Sequence, residues 1–254
     1  MTVAYEVEDH VAHITLDRPE ARNAFNRQLF AELDDAMFRF RDDDRARVCV
    51  MDAAGPAFSV GFDIKDGDRA MSSEGDDGRG FRSTYLDDDM GGKPVIVAVH
   101  GHCVGQGVAN ALFGDIRICS PDAVFTLAEA RIGISAQALP QLLSDAIGGS
   151  HARYMLVSGE PCDADWALRS GLLHEIVERD GLTSRAFELA RSISRQAPLA
   201  NRAHKLILRA ALTESREEVA RLAKHYRRET AASEDFKEGR RAFIERRAPE
   251  WKAR

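Results

Sequence analysis

Short strand-like patterns alternate with helical patterns along most of the chain, and this alternation limits the folds that the chain can adopt. The segment Arg27–Arg41 carries an apolar stripe at helical spacing, which is typical of a helix packed on a core. Strands that alternate with helices predict an α/β domain. The predicted strands are Val11–Leu16, Val48–Asp52, Val95–His100, Ile116–Cys119 and Leu173–Val177.

The pattern becomes helical from Ser184 almost to the end of the sequence, and Pro198 opens one of the predicted helices. This helix and the next share an apolar stripe, which we expect to be buried against the body or against a neighbouring subunit. The stripe consists of Leu206, Leu208, Leu212, Val219 and Leu222. The predicted division is an α/β body of residues 1–195 and a helical region of residues 196–254.

Residues 66–92 interrupt the pattern with many Gly, Asp and Ser residues and few apolar ones. This composition predicts a mobile surface loop. Its acidic residues lack the D-x-D-x-D-G spacing of a calcium loop, and we predict no metal site.

Composition excludes several classes of protein. A chain of 254 residues with 44% apolar content is long enough to bury one substantial core. The longest uninterrupted apolar run, Val95–Val99, is far shorter than the ~20 residues needed to cross a bilayer. Four widely spaced cysteines without a CxxC motif predict free thiols in a reducing compartment. We therefore expect a soluble cytoplasmic protein.

The charge of the chain is unevenly distributed. Residues 201–254 carry 15 Lys and Arg against nine Asp and Glu, although the whole chain has a net charge of −6. These basic residues are spread along helical periods without interleaved aromatic residues, so we predict no nucleic-acid site. They form either a solvated helical face or a surface that attracts a polyanionic cofactor.

Two segments place a glycine turn beside a main-chain N–H group. In AFSVGFDIKD, Gly61 allows a sharp turn before Phe62, although Asp63 is equally consistent with an ordinary helix N-cap. In KPVIVAVHGHCVGQGVANALFGDIRICS, Gly105 and Gln106 stand at the start of a short apolar helix. A main-chain N–H at such a helix start is suited to stabilise a developing negative charge.

The second segment has two other interpretations. His100 and His102 flank its strand end, but without a carboxylate or cysteine at a recognisable spacing they are interpreted as structural. Gly105-x-Gly107-x-x-Asn110 partly matches a dinucleotide-binding fingerprint. That interpretation is weak because Asn110 replaces the third glycine and the helix is short.

A third segment, AVFTLAEARIGIS, places Glu129 within an otherwise apolar stretch. Its carboxylate is either a solvated turn residue or a partly desolvated acid/base with a raised pKa. The residues alone leave both interpretations open.

Together with ITLDRPEARNAFN near the start and SEDFKEGRRAFIERR near the end, these three segments closely resemble the crotonase (enoyl-CoA hydratase/isomerase) superfamily in content and order. The resemblance covers essentially the whole chain. It implies a spiral of strand–strand–helix turns with a helical C-terminal trimerisation region, and a homotrimer or hexamer. It also implies an acyl-CoA thioester substrate, with coenzyme A as part of that substrate and no separate cofactor.

The resemblance assigns the chemistry to three residues. The main-chain N–H groups of Phe62 and Gln106 would bind the thioester oxygen, and Glu129 would be the acid/base. Both Phe62 and Gln106 replace the smaller residues that are usual there. Hydratases of the family carry a second glutamate where this chain has Ala109, and the neighbouring Asn110 cannot act as a base at neutral pH.

The resemblance also indicates substrate- and coenzyme-binding positions near the glycine turns and in the last helix. They are Arg22, Ala24, Gly61, Asp63, Ile64, Lys65, Gly105, Ala109, Phe243 and Arg246. The single glutamate favours an isomerase-like enzyme or a non-standard hydratase. A catalytically weak acyl-CoA-binding protein and a CoA-ester hydrolase are the alternatives. A serine peptidase on the related spiral is disfavoured because Ser59 lacks the G-x-S-x-G context.

Overall fold

The computed structural model describes residues 1–66, 83–136 and 139–254. The strands described are β1 (Val3–Glu8), β2 (Val11–Leu16), β3 (Val48–Ala53), β4 (Val95–Val99), β5 (His102–Val104), β6 (Ile116–Cys119), β7 (Val124–Thr126), β8 (Cys162–Asp163) and β9 (Glu175–Ile176). The α-helices described are α1 (Arg27–Asp42), α2 (Gln106–Phe113), α3 (Leu139–Arg153), α4 (Ala164–Ser170), α5 (Leu182–Ser194), α6 (Pro198–Ala210), α7 (Arg216–Ala232) and α8 (Glu234–Glu245).

These strands form two sheets. The larger has the order β1-β2-β3-β4-β6-β9, and the smaller has the order β5-β7-β8. Only β1 pairs antiparallel in the larger sheet, and the remaining neighbours pair parallel. In the smaller sheet β5 and β7 are parallel, whereas β8 is antiparallel to β7.

The chain passes from the larger sheet to the smaller sheet and then into a helix, and it repeats this path. One turn is β4, β5 and α2, and the next is β6, β7 and α3. An earlier pass follows β3, because Ser59 forms a parallel bridge with Cys103 in β5. The predicted spiral of strand–strand–helix turns is confirmed.

Helix α1 follows from its local sequence. The side chain of Asn26 accepts a hydrogen bond from Leu29 N at 2.9 Å and caps the first turn. The buried face includes Leu33, Met37 and Phe40, as the apolar stripe predicts. The helix ends at Asp42, one residue beyond the predicted end.

The predicted surface loop is wrong where the structure describes it. Residues 67–82 lie outside the described residues, but the next segment contains short 3₁₀ helices at Thr84–Asp87 and Met90–Gly92. Tyr85 and Met90 are fully buried there. The sequence did not predict the burial of these residues because they stand among glycine and aspartate without a regular apolar period.

The strand predictions need smaller corrections. The strand predicted as Val95–His100 ends at Val99, two residues before Gly101, which has φ of +55°. The strand predicted as Leu173–Val177 comprises only Glu175–Ile176. All four cysteines are buried and free. Within the described part of the chain, no helix is long and apolar enough to cross a membrane.

The C-terminal helices leave part of their apolar stripe uncovered. Leu208 is 70% exposed and Leu212 is 57% exposed, so neither is buried against the body of its own chain. The tail after α8 folds back, and the Trp251 indole donates to the Arg195 carbonyl at 2.7 Å. The division of the chain after residue 195 stays a prediction.

A buried asparagine clamps the N-terminal loop to the segment after β3. Asn23 is fully buried at φ of +53°, and its amide donates to the carbonyls of Ala54 and Ala57, both at 2.9 Å. Its Oδ1 accepts from Arg18 N at 2.8 Å. Asparagine suits this position because it tolerates left-handed backbone and pairs with three main-chain groups that are buried or partly buried.

We expect Asn23→Ala to lower the free energy of unfolding by about 2–4 kcal/mol, because buried main-chain groups lose their partners. Asp9→Ala is the matched control, since Asp9 has φ of +47° but is exposed in the β1–β2 turn. The control should cost about 1 kcal/mol or less. Urea unfolding measures both, and equal losses would contradict the clamp.

Candidate active site

The two glycine turns lie side by side. Gly61 has φ of +85°, and a Cβ added there would stand 2.9 Å from the Val104 carbonyl oxygen. On the neighbouring stretch, Ser59 N donates to the His102 carbonyl at 3.0 Å and Val104 N donates to the Ser59 carbonyl at 2.9 Å. The spiral therefore brings the segment around Phe62 against the start of α2.

The direction of the Phe62 N–H follows from its neighbours. Phe25 N donates to the Gly61 carbonyl at 2.8 Å, and Asp63 N donates to the Phe25 carbonyl at 3.0 Å. Successive N–H groups along an extended segment point to opposite sides. The Phe62 N–H therefore points away from Phe25, while its ring packs toward Phe30 with centroids 5.8 Å apart.

Gln106 is the first residue of α2, so its N–H has no acceptor within its own helix. Gly105 precedes it at φ of +50° and donates its own N–H to the Thr126 carbonyl at 3.0 Å. The Gln106 side chain turns along the helix, and its Nε2 donates to Asn110 Oδ1 at 3.0 Å. The start of α2 is thus fixed to the end of β7.

Glu129 begins the 3₁₀ turn Glu129–Ile132 that follows β7. A Cβ added at Gly105 would stand 2.7 Å from Glu129 Oε1, so the carboxylate lies directly against the start of α2. Its Oε2 is buried and accepts no hydrogen bond from the described residues. Burial raises the pKa of Glu129, which favours the desolvated acid/base over the solvated turn residue.

Two residues without a predicted role in this site, Ser59 and Arg18, support the first turn. The buried Ser59 hydroxyl donates to the Asn23 carbonyl at 2.8 Å and accepts from Gly61 N at 3.1 Å. The Arg18 guanidinium donates to the Ala24 carbonyl at 2.8 Å and to Asp63 Oδ2 at 2.7 Å. Ser59 and Arg18 therefore hold the Gly61 turn in place.

The predicted binding residues divide into two groups. Arg22, Ile64 and Lys65 are exposed near the first turn, and the Lys65 N–H donates to Asp63 Oδ1 at 3.1 Å. The hydrogen bond from Arg18 lowers the pKa of Asp63, which behaves as a turn-capping residue. Within the described residues, only the first group lies near the turns.

The second group lies on α8. Phe243, which is 86% exposed, lines a groove with Phe236, Ile244 and Trp251, and none of the other predicted site residues lines that groove. Arg246 ends α8 in a left-handed conformation. Among the described residues, the groove at Phe243 is lined by α8, Ala197 and Trp251.

Ala109 is buried on α2, and next to it stands a polar pair that the sequence analysis missed. The fully buried Tyr85 donates its hydroxyl to Asn110 Oδ1 at 2.9 Å. Tyr85 lies in the segment interpreted as a surface loop, so no sequence signal connected it with α2. The pairing emerges only from the fold.

The positions of α2, His100 and His102 bear on the two other interpretations of the second segment, a dinucleotide site and a pair of structural histidines. α2 follows β5 of the smaller sheet and spans eight residues, unlike the strand-to-long-helix turn of a dinucleotide site. His100 is buried, and its Nε2 lies 3.1 Å from the Gly55 carbonyl oxygen. His102 is exposed in β5. The interpretation of His100 as a structural residue fits this contact.

The spiral and its paired turns define the class of the molecule, which is the crotonase fold. A family model described as enoyl-CoA hydratase/isomerase matches residues 6–254. The chain therefore belongs to the enoyl-CoA hydratase/isomerase family, whose members act on acyl-CoA thioesters.

Individual relatives agree with this assignment. A carnitinyl-CoA dehydratase from Citrobacter koseri is 37% identical, with 96% of this chain and 95% of the relative covered. The structure of an enoyl-CoA hydratase/isomerase from Mycobacterium paratuberculosis is 34% identical, with a TM-score of 0.87 over 100% of this chain and 99% of that one. An enoyl-CoA hydratase from Mycobacterium tuberculosis H37Rv has a TM-score of 0.91 at 28% identity, over 100% of this chain and 99% of that one.

The raised pKa of Glu129 makes a prediction about stability. Its ordinary value is 4.5, and a raised value in the fold means that the fold favours the neutral acid. This contribution to stability is complete below the unfolded-state pKa and is lost as the pH rises through the folded-state pKa. Because Glu129→Gln does not titrate, its free energy of unfolding should increasingly exceed that of the wild type over this range.

Urea unfolding of both proteins at intervals from about pH 4 to pH 8 measures this difference. Glu160→Gln is the control, because Glu160 is exposed at the surface. A difference between Glu129→Gln and wild type that does not change with pH would contradict the burial of this carboxylate.

Proposed function

We propose that this enzyme stabilises a thioester enolate with the N–H groups of Phe62 and Gln106 and moves a proton with Glu129. The observation that carries the proposal is the position of Glu129, whose carboxylate lies against Gly105. One of its oxygens is buried and has no hydrogen-bond partner within the described segments. A thioester oxygen held at Gln106 N would place the adjacent carbon close to this carboxylate. A general base must lie within hydrogen-bond reach of the proton that it removes.

The two main-chain donors supply the larger part of the proposed catalysis. When the α-carbon loses a proton, negative charge moves to the thioester oxygen, and fixed N–H groups stabilise it without reorganisation. Loss of one such donor typically costs ~3–4 kcal/mol of barrier. The supporting contacts of Ser59 and Asn23 favour such a fixed position for the Gly61 turn.

Ala109 favours a reaction that needs one carboxylate. Its methyl group cannot hold or deprotonate a water, whereas Glu129 alone can remove a proton from one carbon and return it to another. We therefore favour double-bond isomerisation of an enoyl-CoA, or non-standard hydration, over efficient hydration.

Dehydration is the second candidate, because the relatives at 36–38% identity are named carnitinyl-CoA dehydratases. In this chain such a reaction would need a partner for Glu129 other than residue 109. A catalytically weak acyl-CoA-binding protein or a CoA-ester hydrolase would lack turnover of enoyl-CoA esters while still binding them. Turnover measured beside binding separates these functions.

Glu129→Gln should reduce kcat on the best enoyl-CoA substrate by at least about 100-fold and leave the affinity for a saturated CoA ester within a few-fold. The amide keeps the shape of the side chain but accepts no proton at neutral pH. Steady-state kinetics and calorimetry measure the two quantities. Near-wild-type turnover would exclude Glu129 as the acid/base.

Ala109→Glu should raise the rate of hydration of a short 2-enoyl-CoA by about 100-fold over wild type. The wild-type enzyme should catalyse 3-to-2 double-bond isomerisation better than hydration. The new carboxylate stands less than one turn from Gln106 and supplies a second partner for a water. Ala109→Gln is the control, because it adds similar bulk without a carboxylate. Hydration by wild type at ordinary enzymatic rates would contradict the single-carboxylate assignment.

We also infer a homotrimer or hexamer. In a single chain, the C-terminal region exposes large apolar side chains to water. Contiguous exposed apolar patches typically mark protein–protein contacts. The most exposed of these side chains are Leu208, Phe243 and Ile244 in the helices and Leu212 in the turn after α6, at 70%, 86%, 76% and 57%. Association would also bring α8 of one subunit near another, which is where Phe243 and Arg246 could meet a coenzyme.

Light scattering should report a mass of about three or six chains at micromolar concentration. Leu208→Asp should shift the population toward monomer, because the carboxylate would be desolvated at the contact. Thr213→Asp, at an exposed polar position just beyond α6, should leave the mass unchanged. A wild-type monomer would refute the assembly.

A further inference from the structure

Asn110 is a fully buried polar residue whose side chain is only half satisfied. Its Oδ1 accepts from Tyr85 Oη at 2.9 Å and from Gln106 Nε2 at 3.0 Å. Its Nδ2 has no partner among the described residues. Exchanging the carboxamide oxygen and nitrogen would place Nδ2 against the donor Gln106 Nε2 unless the Gln106 amide were exchanged too, and it would leave Oδ1 as the unpaired atom.

An unpaired buried polar atom costs folding free energy, so its presence needs a reason. A purely structural link between Tyr85 and Gln106 would need only Asn110 Oδ1, which accepts from both side chains. α2 contains no polar side chains besides those of Gln106 and Asn110. Asn110 Nδ2 is therefore the one side-chain polar atom of α2 that is buried without a partner among the described residues.

The position of Asn110 relates it to the proposed thioester site. Residues four apart lie on one face of a helix, about one turn or ~5.4 Å along the axis. Glu129 contacts Gly105, immediately before Gln106, whereas Asn110 lies in the opposite direction along α2. An extended acyl chain gains a little over ~1 Å per carbon, so one helix turn corresponds to about the fourth or fifth carbon.

We propose that Asn110 recognises a hydroxyl group on the fourth or fifth carbon of the acyl chain. The proposal rests on the proposed function in one respect, which is that the thioester oxygen binds at Gln106 N. A hydroxyl both donates and accepts, so it pairs with the carboxamide in either orientation. Asn110 is thus a specificity-determining residue for acyl groups hydroxylated beyond the β-carbon.

Tyr85 positions this carboxamide. Its ring is fully buried and packs edge-on against Phe113, with centroids 4.8 Å apart. The preceding residue is anchored as well, because Thr84 N and Oγ1 donate to Asp34 Oδ2 at 2.9 and 2.6 Å. The Tyr85 hydroxyl therefore reaches Asn110 from a fixed point and leaves the other carboxamide atom for the ligand.

The test compares dissociation constants of three saturated esters, which need no turnover: pentanoyl-CoA, 4-hydroxypentanoyl-CoA and 5-hydroxypentanoyl-CoA. Wild type should bind at least one hydroxylated ester about 10-fold more tightly than pentanoyl-CoA. Asn110→Leu should abolish this preference while keeping the affinity for pentanoyl-CoA within about threefold. Asn110→Ala is a second variant with the same expectation, for use if the leucine is not accommodated.

Tyr85→Phe distinguishes recognition from packing. It keeps the ring in place and leaves the ligand-facing atom of Asn110, so it should weaken the preference only about two- to threefold. No preference in wild type, or an undiminished preference in the folded Asn110 variants, would overturn the proposal.

Failure of this proposal is distinguishable from failure of the proposed function. Turnover of enoyl-CoA esters without a preference for hydroxylated esters would overturn the role of Asn110 alone. Preferential binding without any Glu129-dependent turnover would overturn the proposed chemistry and support the recognition by Asn110. Absence of binding to all three esters would overturn both.

Discussion

The close approach of two main-chain turns is the constraint on which the site depends. A side chain at Gly61 would meet the Val104 carbonyl oxygen at 2.9 Å, and one at Gly107 would meet the Ser59 Cβ at 3.0 Å. Removing either glycine would push the turns apart, because main-chain atoms cannot yield as a flexible side chain can. These two glycines therefore determine how closely successive passes of the spiral approach each other. The position of the start of α2 depends on this close approach.

Buried polar side chains from distant parts of the sequence maintain this contact. Asn23 ties the N-terminal loop to the segment after β3, and Ser59 joins Asn23 to Gly61. Arg18 adds a charged link to Asp63. These groups are largely removed from water in the fold, and their hydrogen bonds form a connected network. The main effect of the network is to hold the turns in fixed positions. A rigid frame of this kind suits the proposed site, in which the donors would be main-chain atoms.

The sequence predicted the parts of this molecule that have a period or a motif. Five of the six strands of the larger sheet and the helix at Arg27 were visible as apolar patterns, whereas β1 was not predicted. The resemblance selected Gly61, Gly105 and Glu129. The smaller sheet was not predicted, because β5, β7 and β8 span only three, three and two residues and carry no pattern of their own. The contact of Tyr85 with Asn110 joins positions 25 residues apart through tertiary packing alone, which no local pattern records.

The placement of Gln106 at the first position of α2 has a consequence for how such a protein diversifies. A main-chain donor is inherited with the path of the backbone, so it survives most exchanges of the side chain that accompanies it. Residues further along the same helix, such as Ala109 and Asn110, do not supply this N–H group and can be exchanged without moving it. In the proposed site, reactivity and substrate preference are thereby separable during divergence, and new chemistry would arise by substitutions that leave the architecture untouched.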